Sequence, residues 1–282
     1  MEPTREAAEE SPLVEPTISQ DPSAGASPHA SAVGRPGSVD KVLVVMPAYN
    51  AARTLTDTWA GISRDVVDEV LLVDDRSMDE TLEVAARLPI RTIGLPHNVG
   101  YGGNQKTCYL EALRLDADIV VMLHPDGQYD PAVLPDLIAP IQRGQADLVL
   151  GSRMLIPGGA RAGRMPLYRY VSNKGLTAIE NFMLGTRFSE LHTGYRAYSR
   201  HFLETVPFLR NSNDFVFDSQ VIAQAVALGQ RVVEVPIQTR YFADASSTSM
   251  RANLRYGVAT LWTMLRYRLH TAGVLRSRLF TP

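Results

Sequence analysis

Residues 119–131 read IVVMLHPDGQYDP, in which five apolar residues run directly into a polar turn. A short apolar run that stops at turn residues is typical of a buried strand. The same arrangement occurs at 42–50, VLVVMPAYN, and at 70–81, VLLVDDRSMDET. Helix-length stretches separate these strands, and strands that are apolar throughout belong to parallel sheets covered by helices on both faces. The sequence therefore predicts the α/β class, with a mostly parallel sheet flanked by helices.

The remaining elements follow the same pattern of apolar runs and helical spacing. Helices are expected over about 53–65, 79–87, 104–115, 131–143, 167–184 and 216–228. Further strands are expected at 90–93, 148–150 and 231–239. Pro236 confines the last of these strands to an edge or a bulge, because proline cannot donate to a ladder. The Gly-, Arg- and Pro-rich residues 156–165 are expected to form a mobile loop, and the last thirty residues a helix.

Residues 1–39 differ in composition from the rest of the chain. They contain six prolines and no aromatic residue, and six acidic residues stand against two arginines for a net charge of −4. Such a stretch buries too little apolar surface to offset the entropy lost on ordering. We expect a disordered tail over 1–39, a folded domain over 40–245, and a basic amphipathic C-terminal helical segment over 246–282.

Composition argues against several classes of protein. The formal charge of −2 over 282 residues argues against a nucleic-acid binder, which usually carries a basic excess. The single cysteine, Cys108, excludes an internal disulfide and a multi-cysteine zinc site. No apolar run is long enough to cross a bilayer, and the first residues, MEPTREAAEE, lack the features of a secretory signal. We therefore expect a cytoplasmic protein.

The turn after the strand at 119–123 is a candidate metal site. Parallel strands bring their carboxyl ends to one edge of a sheet, so the polar residues that follow them are expected to share a crevice. Asp126 and Gln128, with His124 beside them, supply ligands for a hard divalent cation that also binds a nucleotide diphosphate. The alternative is turn chemistry, since Asp and Gly are common in turns.

The adjacent Asp74 and Asp75 follow the second strand. One of them could orient the cation, and the other could accept hydrogen bonds from a base or a ribose. Ser77 and Asp79 are expected to shape the turn and cap the next helix.

A glycine-rich stretch, NVGYGGNQK at 98–106, leads into a predicted helix. Glycines allow close backbone approach, and a helix start favours phosphate. The spacing matches neither a Walker A loop nor a dinucleotide fingerprint, so a plain helix-entry turn is an equal alternative.

Five motifs, in this order and spacing, resemble those of family 2 glycosyltransferases of the GT-A fold: PAYN, VDDRSMDET, NVGYGG, HPDGQYDP and LVLGSRM. The chain is most similar to the branch that transfers hexoses to dolichyl or polyprenyl phosphate, and the resemblance covers about 41–240. It implies a Rossmann-like half that binds the nucleotide sugar, an acceptor half, inversion at the sugar, and a Mg²⁺ or Mn²⁺ ion. Phe215, Phe217 and Asp218 match a further family patch, whose aromatic residues we expect chiefly in the core.

The resemblance assigns roles to residues at the strand ends. It implies a donor nucleotide site at Pro47, Tyr49, Asn50, Asp74 and Asp75. It implies a metal site at Asp126 and Gln128, with Asp126 as a catalytic residue. His124 stands where the family usually has the first aspartate of Asp-x-Asp, so this histidine either ligates the metal, hydrogen-bonds the phosphate or packs.

The acceptor half contains a second set of implied site residues. In the branch that the chain resembles, an arginine after the fourth strand and another on the following helix grip the acceptor phosphate. Arg153 and Arg169 match these places, and Asn173 lies one turn further on. The resemblance also implies that Arg153 is a catalytic residue. Guanidinium groups suit phosphate because their donors form a fixed fork. A hydroxyl acceptor would need a general base, for which Glu190 and His192 are the candidates, whereas a phosphate acceptor needs none.

The C-terminal segment is basic. After Asp244 it contains no acidic residue, and six arginines are interleaved with leucines, tyrosines and Trp262. A basic amphipathic helix of this kind either lies in a membrane interface or packs its apolar face on the domain with its arginines solvated. The first alternative would bring an enzyme with a lipid acceptor to the cytoplasmic membrane face as a peripheral protein.

Other functions stay open beside the leading one. The same donor chemistry could act on a glycan or small-molecule hydroxyl. A nucleotidyltransferase would carry a basic Gly-rich loop after the first strand, where this chain has PAYNAAR. A non-catalytic nucleotide-sugar-binding protein would follow if His124 abolished metal binding. The leading interpretation is an inverting, metal-dependent hexosyltransferase with a nucleotide-diphosphate-sugar donor, a polyprenyl-phosphate acceptor and no nucleic-acid partner.

Overall fold

A computed structural model describes residues 40–156, 158–163, 165–239 and 250–282, without the side chains of residues 161, 162, 250 and 252. The predicted tail, 1–39, lies outside the described residues and stays a prediction. So do the proposed boundary at 245 and part of the predicted loop at 156–165.

One sheet of seven strands organises the described residues. The strands are β1 (Val42–Ala48), β2 (Glu69–Asp74), β3 (Arg91–Gly94), β4 (Ile119–Met122), β5 (Leu148–Ser152), β6 (Arg196–Ser199) and β7 (Val232–Pro236). Their order across the sheet is β3-β2-β1-β4-β6-β5-β7. Only β6 runs antiparallel to its neighbours among these strands, so the predicted mostly parallel α/β sheet is confirmed.

Helices connect the strands and cover the sheet. They are α1 (Leu55–Ala60), α2 (Thr81–Ala85), α3 (Tyr101–Arg114), α4 (Leu134–Gln142), α5 (Gly159–Ala162), α6 (Leu167–Leu184), α7 (Arg200–Thr205), α8 (Phe217–Ala227) and α9 (Met250–Thr271). The predicted bounds of α6 are confirmed, and this helix ends at Gly185, whose φ of 75° suits a glycine cap. Of the helices that the structure describes, none is both long and apolar enough to cross a membrane.

The core lies on both faces of the sheet. All seven residues of β1 are buried, as a continuous apolar run predicts for a central parallel strand. Leu43 and Val45 belong to the apolar cluster on one face, and Val44 and Met46 to the cluster on the other. The sheet is therefore a rigid platform for the loops at its carboxyl edge.

Several elements differ from the expectations. Helix α7 was not predicted, and α1 spans Leu55–Ala60 rather than 53–65. β6 was not predicted, because its four residues, RAYS, carry no apolar run. Part of the predicted loop at 156–165 forms the one-turn helix α5. The last strand ends at Pro236 rather than 239, and it lies at the sheet edge as its proline requires.

An ion pair joins β5 and β7 where these two strands begin. Arg231 Nε and Nη2 donate to the two carboxylate oxygens of Asp147 at 2.9 and 2.7 Å. Burial raises the pKa of Asp147, but the hydrogen bonds and charge of Arg231 outweigh it, so the pKa lies below its usual value. A carboxyl group whose pKa is lower in the folded state stabilises the fold at pH values above its unfolded-state pKa. This stabilisation is lost as the pH falls through its folded-state pKa.

We therefore expect Asp147→Asn to lower the free energy of unfolding by about 1–3 kcal/mol at neutral pH, since it weakens a charge-assisted hydrogen bond at a buried site. The difference from the parent should shrink below about pH 4, where the free carboxyl group protonates. Urea unfolding across pH measures this. Glu204→Gln, which alters the exposed pair with Arg200, is the matched control and should cost less than about 1 kcal/mol. A loss of stability in Asp147→Asn that does not change with pH would contradict this role of the Asp147–Arg231 ion pair.

Candidate active site

Three loops meet at the carboxyl edge of the sheet. β1 lies between β2 and β4 and is parallel to both, so the loops that follow these strands are neighbours. The backbone N–H of Asn50 donates to Ser77 Oγ at 2.8 Å, and the Met78 N–H donates to Asn50 Oδ1 at 2.8 Å. Thr54 Oγ1 donates to the Pro125 carbonyl at 2.5 Å. The predicted crevice is thus a single hydrogen-bonded unit.

The loop after β1 presents the first of the implied nucleotide-binding residues. Asn50 has a φ of 54°, a left-handed conformation that asparagine tolerates better than most residues. The Tyr49 side chain is 55% exposed beside it, whereas Pro47 is buried within β1. Tyr49 and Asn50 are therefore accessible to a ligand at this edge of the sheet, whereas Pro47 is not.

The paired aspartates organise the loops of the site. Asp74 accepts from Ser77 Oγ at 2.5 Å and from the Ser77 N–H at 3.0 Å. Asp75 accepts from the N–H groups of Val99 and Gly100 at 2.7 and 3.1 Å. Burial raises the pKa of Asp75 and the charge of Asp74 adds to this, while the two backbone donors oppose it. Both aspartates hold loops in place, and so do Ser77 and Asp79 as expected, since they accept from the Asn50 and Ala52 N–H groups. The residue at the N-cap of α2 is Glu80, so the expectation that Ser77 or Asp79 caps this helix was wrong.

The glycine-rich stretch is a helix-entry turn. Gly100 has a φ of +83°, and a Cβ on Gly102 would lie 2.5 Å from the Ser212 carbonyl oxygen, so both positions require glycine. The N–H groups of Val99 and Gly100 are used by Asp75, and that of Gly102 donates to the Asn213 carbonyl at 2.8 Å. Three of the N–H groups at this helix start are therefore engaged within the protein, which favours the helix-entry turn.

Asp126 lies in the turn after β4 with its side chain exposed to the crevice. Its Oδ1 accepts from the Gln128 N–H at 3.0 Å, and its other oxygen accepts no hydrogen bond from the residues that the structure describes. The pKa of Asp126 is raised above its usual value because the surrounding protein removes water from it, and the charge of the neighbouring His124 opposes this effect.

The donor set around Asp126 fits a metal that arrives with its substrate. Mg²⁺ is commonly held by one or two carboxylates together with substrate phosphates. Asp126 and Gln128 offer one carboxylate and one amide oxygen, which leaves positions open for a diphosphate. No cluster of three or more His, Cys, Asp or Glu side chains that could hold a metal alone occurs in the described part of the chain.

His124 packs beneath the site. Its ring stacks on Tyr101 with centroids 5.5 Å apart, and its Nε2 lies 3.4 Å from the Tyr101 hydroxyl. A Cβ on Gly194 would lie 2.8 Å from the same Nε2, so the backbone closes over this nitrogen. Burial lowers the pKa of His124, which favours the neutral ring. Of the three alternatives for this histidine, the structure favours packing.

A buried polar network lies behind His124, and sequence reasoning missed most of it. The Tyr101 hydroxyl donates to Asp218 Oδ2 at 2.8 Å, and Arg196 Nη1 lies 3.5 Å from Asp218 Oδ1. Arg196 is 1% exposed. The expectation that both aromatic residues are core holds for Phe217, but Phe215 is 42% exposed and tilts against Tyr101 with centroids 4.7 Å apart. The signal available in the sequence was the family patch that includes Asp218, which accepts from Tyr101 and lies beside Arg196.

The acceptor half brings four of its predicted residues together. Arg153, just after β5, is a buried side chain whose Nε lies 2.9 and 3.1 Å from the two oxygens of Glu190, and its Nη2 also donates to Glu190. Asn173 Nδ2 donates to Glu190 Oε1 at 2.7 Å. Arg153 Nη2 donates to the His192 carbonyl at 2.7 Å. Glu190 is completely buried, and it neutralises the charge of Arg153.

Arg169 lies apart from that pair in the first turn of α6. Its Nε donates to the Tyr168 hydroxyl at 3.1 Å, and it forms no ion pair with the residues that the structure describes. It precedes Asn173 by one turn, so the two residues share a side of the helix. Its cation is therefore better placed than that of Arg153 to meet an anion from solvent.

The second candidate base, His192, is held between two helices. Its Nδ1 lies 2.7 Å from the Tyr256 hydroxyl on α9, and its Nε2 lies 2.8 Å from Glu180 Oε2 on α6. Glu180 is 1% exposed. Burial raises the pKa of Tyr256, so its hydroxyl stays protonated. Glu190 is thus engaged by other side chains, and Nδ1 of His192 lies at the Tyr256 hydroxyl. The buried His192 Nε2 and Glu180 Oε2 have no hydrogen-bond partner within the described residues, although they lie 2.8 Å apart.

Residues 43–206 match the family model described as Glycosyl transferase family 2. The chain belongs to glycosyltransferase family 2.

Two relatives are similar over most of their length. The undecaprenyl-phosphate mannosyltransferase of Micrococcus luteus is 30% identical over 246 residues, which cover 81% of this chain and 99% of that protein. The UDP-N-acetylglucosamine–dolichyl-phosphate N-acetylglucosaminyltransferase of Methanococcus voltae is 26% identical over 82% of this chain and 97% of that protein.

The fold also resembles solved structures. The glucosyl-3-phosphoglycerate synthase of Mycobacterium tuberculosis, in complex with Mn²⁺, UDP and phosphoglyceric acid, aligns with a TM-score of 0.62. The alignment covers 81% of this chain and 78% of that one at 21% identity. At this level of identity the likeness confirms the expected GT-A-type fold.

Proposed function

We propose that this chain transfers a hexose from a nucleoside-diphosphate sugar to a polyprenyl phosphate, with inversion at the sugar. The donor would occupy the crevice between the loops after β1, β2 and β4, near Tyr49, Asn50 and Asp75. Membership of the family supports the donor chemistry. The Micrococcus and Methanococcus relatives, named for transfer to undecaprenyl and dolichyl phosphate, support the acceptor class.

The surroundings of the two candidate bases, Glu190 and His192, bear on whether the acceptor is a phosphate or a hydroxyl. A hydroxyl nucleophile must lose a proton, and a base for it must be within hydrogen-bond reach. Glu190 is fully buried and bound to Arg153 and Asn173. His192 has its Nδ1 at the Tyr256 hydroxyl and its buried Nε2 beside the buried Glu180, so neither nitrogen is open to a substrate from solvent. A phosphate monoester is already anionic, so it can attack without a base. The geometry therefore supports a phosphate acceptor over a hydroxyl.

The reaction then needs only binding and orientation from the chain. A phosphate oxygen of the acceptor attacks the anomeric carbon, the bond from that carbon to the donor diphosphate breaks, and the nucleoside diphosphate leaves. Arg169 and Asn173 would hold the acceptor phosphate, and Arg153 would orient Glu190 and the residues after it. A Mg²⁺ or Mn²⁺ ion at Asp126 and Gln128 would neutralise the charge of the leaving diphosphate.

Purified protein with a panel of UDP- and GDP-sugars tests this proposal. Each donor is supplied with a short-chain, water-soluble polyprenyl phosphate or with the corresponding free alcohol, with Mn²⁺ or with a chelator. We expect product only with the phosphate and with the metal. Transfer to the alcohol at a comparable rate would contradict the acceptor assignment, and binding of a donor without turnover on any acceptor would favour a non-catalytic binder.

Arg169 should matter for the acceptor more than for the donor. We expect Arg169→Ala to raise the acceptor KM about tenfold or more, since a charge-assisted hydrogen bond contributes roughly 1.5–3 kcal/mol. Lysine should restore part of this, because a point charge lacks the bidentate fork. Acceptor titrations and calorimetric donor binding measure the two effects, and Arg143→Ala, beyond the end of α4, is the charge-matched control. Weaker donor binding with an unchanged acceptor KM would reassign Arg169 to the nucleotide site.

A further inference from the structure

Helix α6 exposes apolar side chains to solvent. Its outward side carries Tyr168, Val171, Ile179 and Phe182, the last of which is 75% exposed. Its inward side carries the buried polar residues Thr177 and Glu180, together with Leu184 at the end. A surface helix of a soluble protein normally buries its apolar side and exposes its polar one. In α6 this arrangement is largely reversed.

Helix α9 has a similar distribution. Leu254, Val258, Leu261, Trp262 and Leu265 lie on its exposed side. The side that faces the domain carries Tyr256, Thr260 and Thr263 besides the apolar Met264 and Tyr267. The sequence left open whether the apolar residues of this helix pack on the domain, and the structure leaves five of them in solvent.

The exposed sides of the two helices adjoin. α6 and α9 pack against each other. Arg268 Nη2 donates to the Phe182 carbonyl at 3.0 Å, and its guanidinium lies 5.8 Å from the centre of the Phe182 ring. Single exposed apolar residues are ordinary, but a contiguous set marks an interaction surface. We call the following residues the α6–α9 face: Tyr168, Val171, Ile179, Phe182, Leu254, Val258, Leu261, Trp262 and Leu265.

Charge distinguishes between occupants of this face. The residues from Arg251 to Pro282 include six arginines and no acid. The one acidic residue of α6, Glu180, is buried, and Lys174 is exposed on this helix, so neither helix exposes a negative charge. An apolar surface with aromatic residues and a cationic surround complements an anionic lipid interface. A second copy of this chain would bring two such surrounds together and be repelled.

We propose that the α6–α9 face is a docking surface for an anionic lipid bilayer, to which both helices contribute. A helix is about 10 Å across, so docking would place Arg169 and Asn173 within about one helix diameter of the lipid headgroups. The role of Arg169 and Asn173 in this arrangement rests on the proposed function. If the acceptor is a lipid phosphate, docking brings that phosphate, at the depth of the headgroups, to the side of α6 that carries Arg169 and Asn173.

Vesicle binding by the full chain tests the surface without any acceptor lipid. The vesicles are phosphatidylcholine with phosphatidylglycerol, and the variants are the pair Val171→Gln, Phe182→Gln on α6 and the pair Val258→Gln, Trp262→Gln on α9. Each pair should lower the partition coefficient at least about tenfold, which corresponds to 1.4 kcal/mol. The pair Leu110→Gln, Leu209→Gln removes exposed leucines elsewhere and should bind like the parent.

The outcomes are distinct. Unchanged binding by the α6 pair would overturn the contribution of that helix, and unchanged binding by both pairs would overturn the face. Self-association of the parent that both pairs abolish, without vesicle binding, would assign the face to a second copy. Turnover of a short-chain, water-soluble acceptor is measured separately, and all variants should turn it over at the parent rate. The proposed function could therefore fail in this assay while vesicle docking holds.

A measurement on the intact face guards against misfolded variants. The chain has two tryptophans, so Trp59→Phe leaves Trp262 as the sole indole fluorophore. Vesicles should shift its emission to shorter wavelength, and lipids brominated on the acyl chain should quench it. Emission that neither shifts nor is quenched in the presence of bound vesicles would overturn the proposal.

Discussion

Asp126→Ala should reduce sugar transfer at least about 100-fold while the protein stays folded. A divalent ion contributes several kcal/mol to stabilising charge on a leaving group, and each 1.4 kcal/mol corresponds to a tenfold change in rate. Asp126 is the exposed carboxylate of the turn after β4, and one of its oxygens has no hydrogen-bond donor within the described residues. Initial rates with saturating donor and acceptor measure the effect, and circular dichroism checks the fold.

Two further variants separate loss of the metal from loss of the turn. Asp126→Asn keeps an acceptor for the Gln128 N–H, so it should preserve the turn and still lose activity. Asp130→Ala, four residues on, removes the cap whose side chain accepts from the Ala132 N–H at 2.9 Å. We expect this control to cost about 1 kcal/mol of stability and to retain most activity. Full transfer by a folded Asp126→Ala protein would remove the metal assignment.

Glu190→Ala should cause the largest loss of stability, about 3–5 kcal/mol in the free energy of unfolding. Removing one partner of a buried ion pair leaves the other charge uncompensated, which accounts for a loss of this size. Glu190 is completely buried, and it accepts hydrogen bonds from the Arg153 side chain, the Arg153 N–H and Asn173. Urea unfolding measures the loss. Glu111→Ala, which breaks the exposed pair with Arg114, should cost less than about 1 kcal/mol.

A double substitution tests whether the uncompensated charge is the cause. Apolar residues of similar size can replace a buried ion pair with little loss of stability. The combination Arg153→Met, Glu190→Leu should therefore recover most of the stability that Glu190→Ala loses, and it should remain poorly active. A double variant as unstable as Glu190→Ala would attribute the loss to a cavity instead.

The sheet could be predicted because β1, β2 and β4 are buried on both faces, and such strands consist of continuous apolar runs. The carboxyl-edge crevice followed from the same runs, since each ends in polar residues and parallel strands align their ends. β6 carried no such signal. Its four residues are RAYS, and its buried arginine is satisfied by Asp218 and by the Thr193 carbonyl at 2.8 Å.

The partners of the polar residues could not be predicted. Arg153 and Glu190 are 37 positions apart, and Tyr101 and Asp218 are 117 apart, so local pattern does not connect them. Arg153, which was expected to face an acceptor, is neutralised by Glu190, which was expected to be a base. Asp75 was assigned to a ligand, and the structure engages its two oxygens with the N–H groups of a loop.

The two contacts of His192 have a practical consequence for anyone who shortens this chain. Its ring meets Tyr256 on α9, and its carbonyl accepts from Arg153. A version that ends before Met250, cut to improve handling by removing the exposed leucines of α9, would also remove the Tyr256 hydroxyl and uncover the buried Glu180. The candidate site would lose the helix that contacts His192. Solubility is therefore better sought with detergents or with point changes on the outward side of α9.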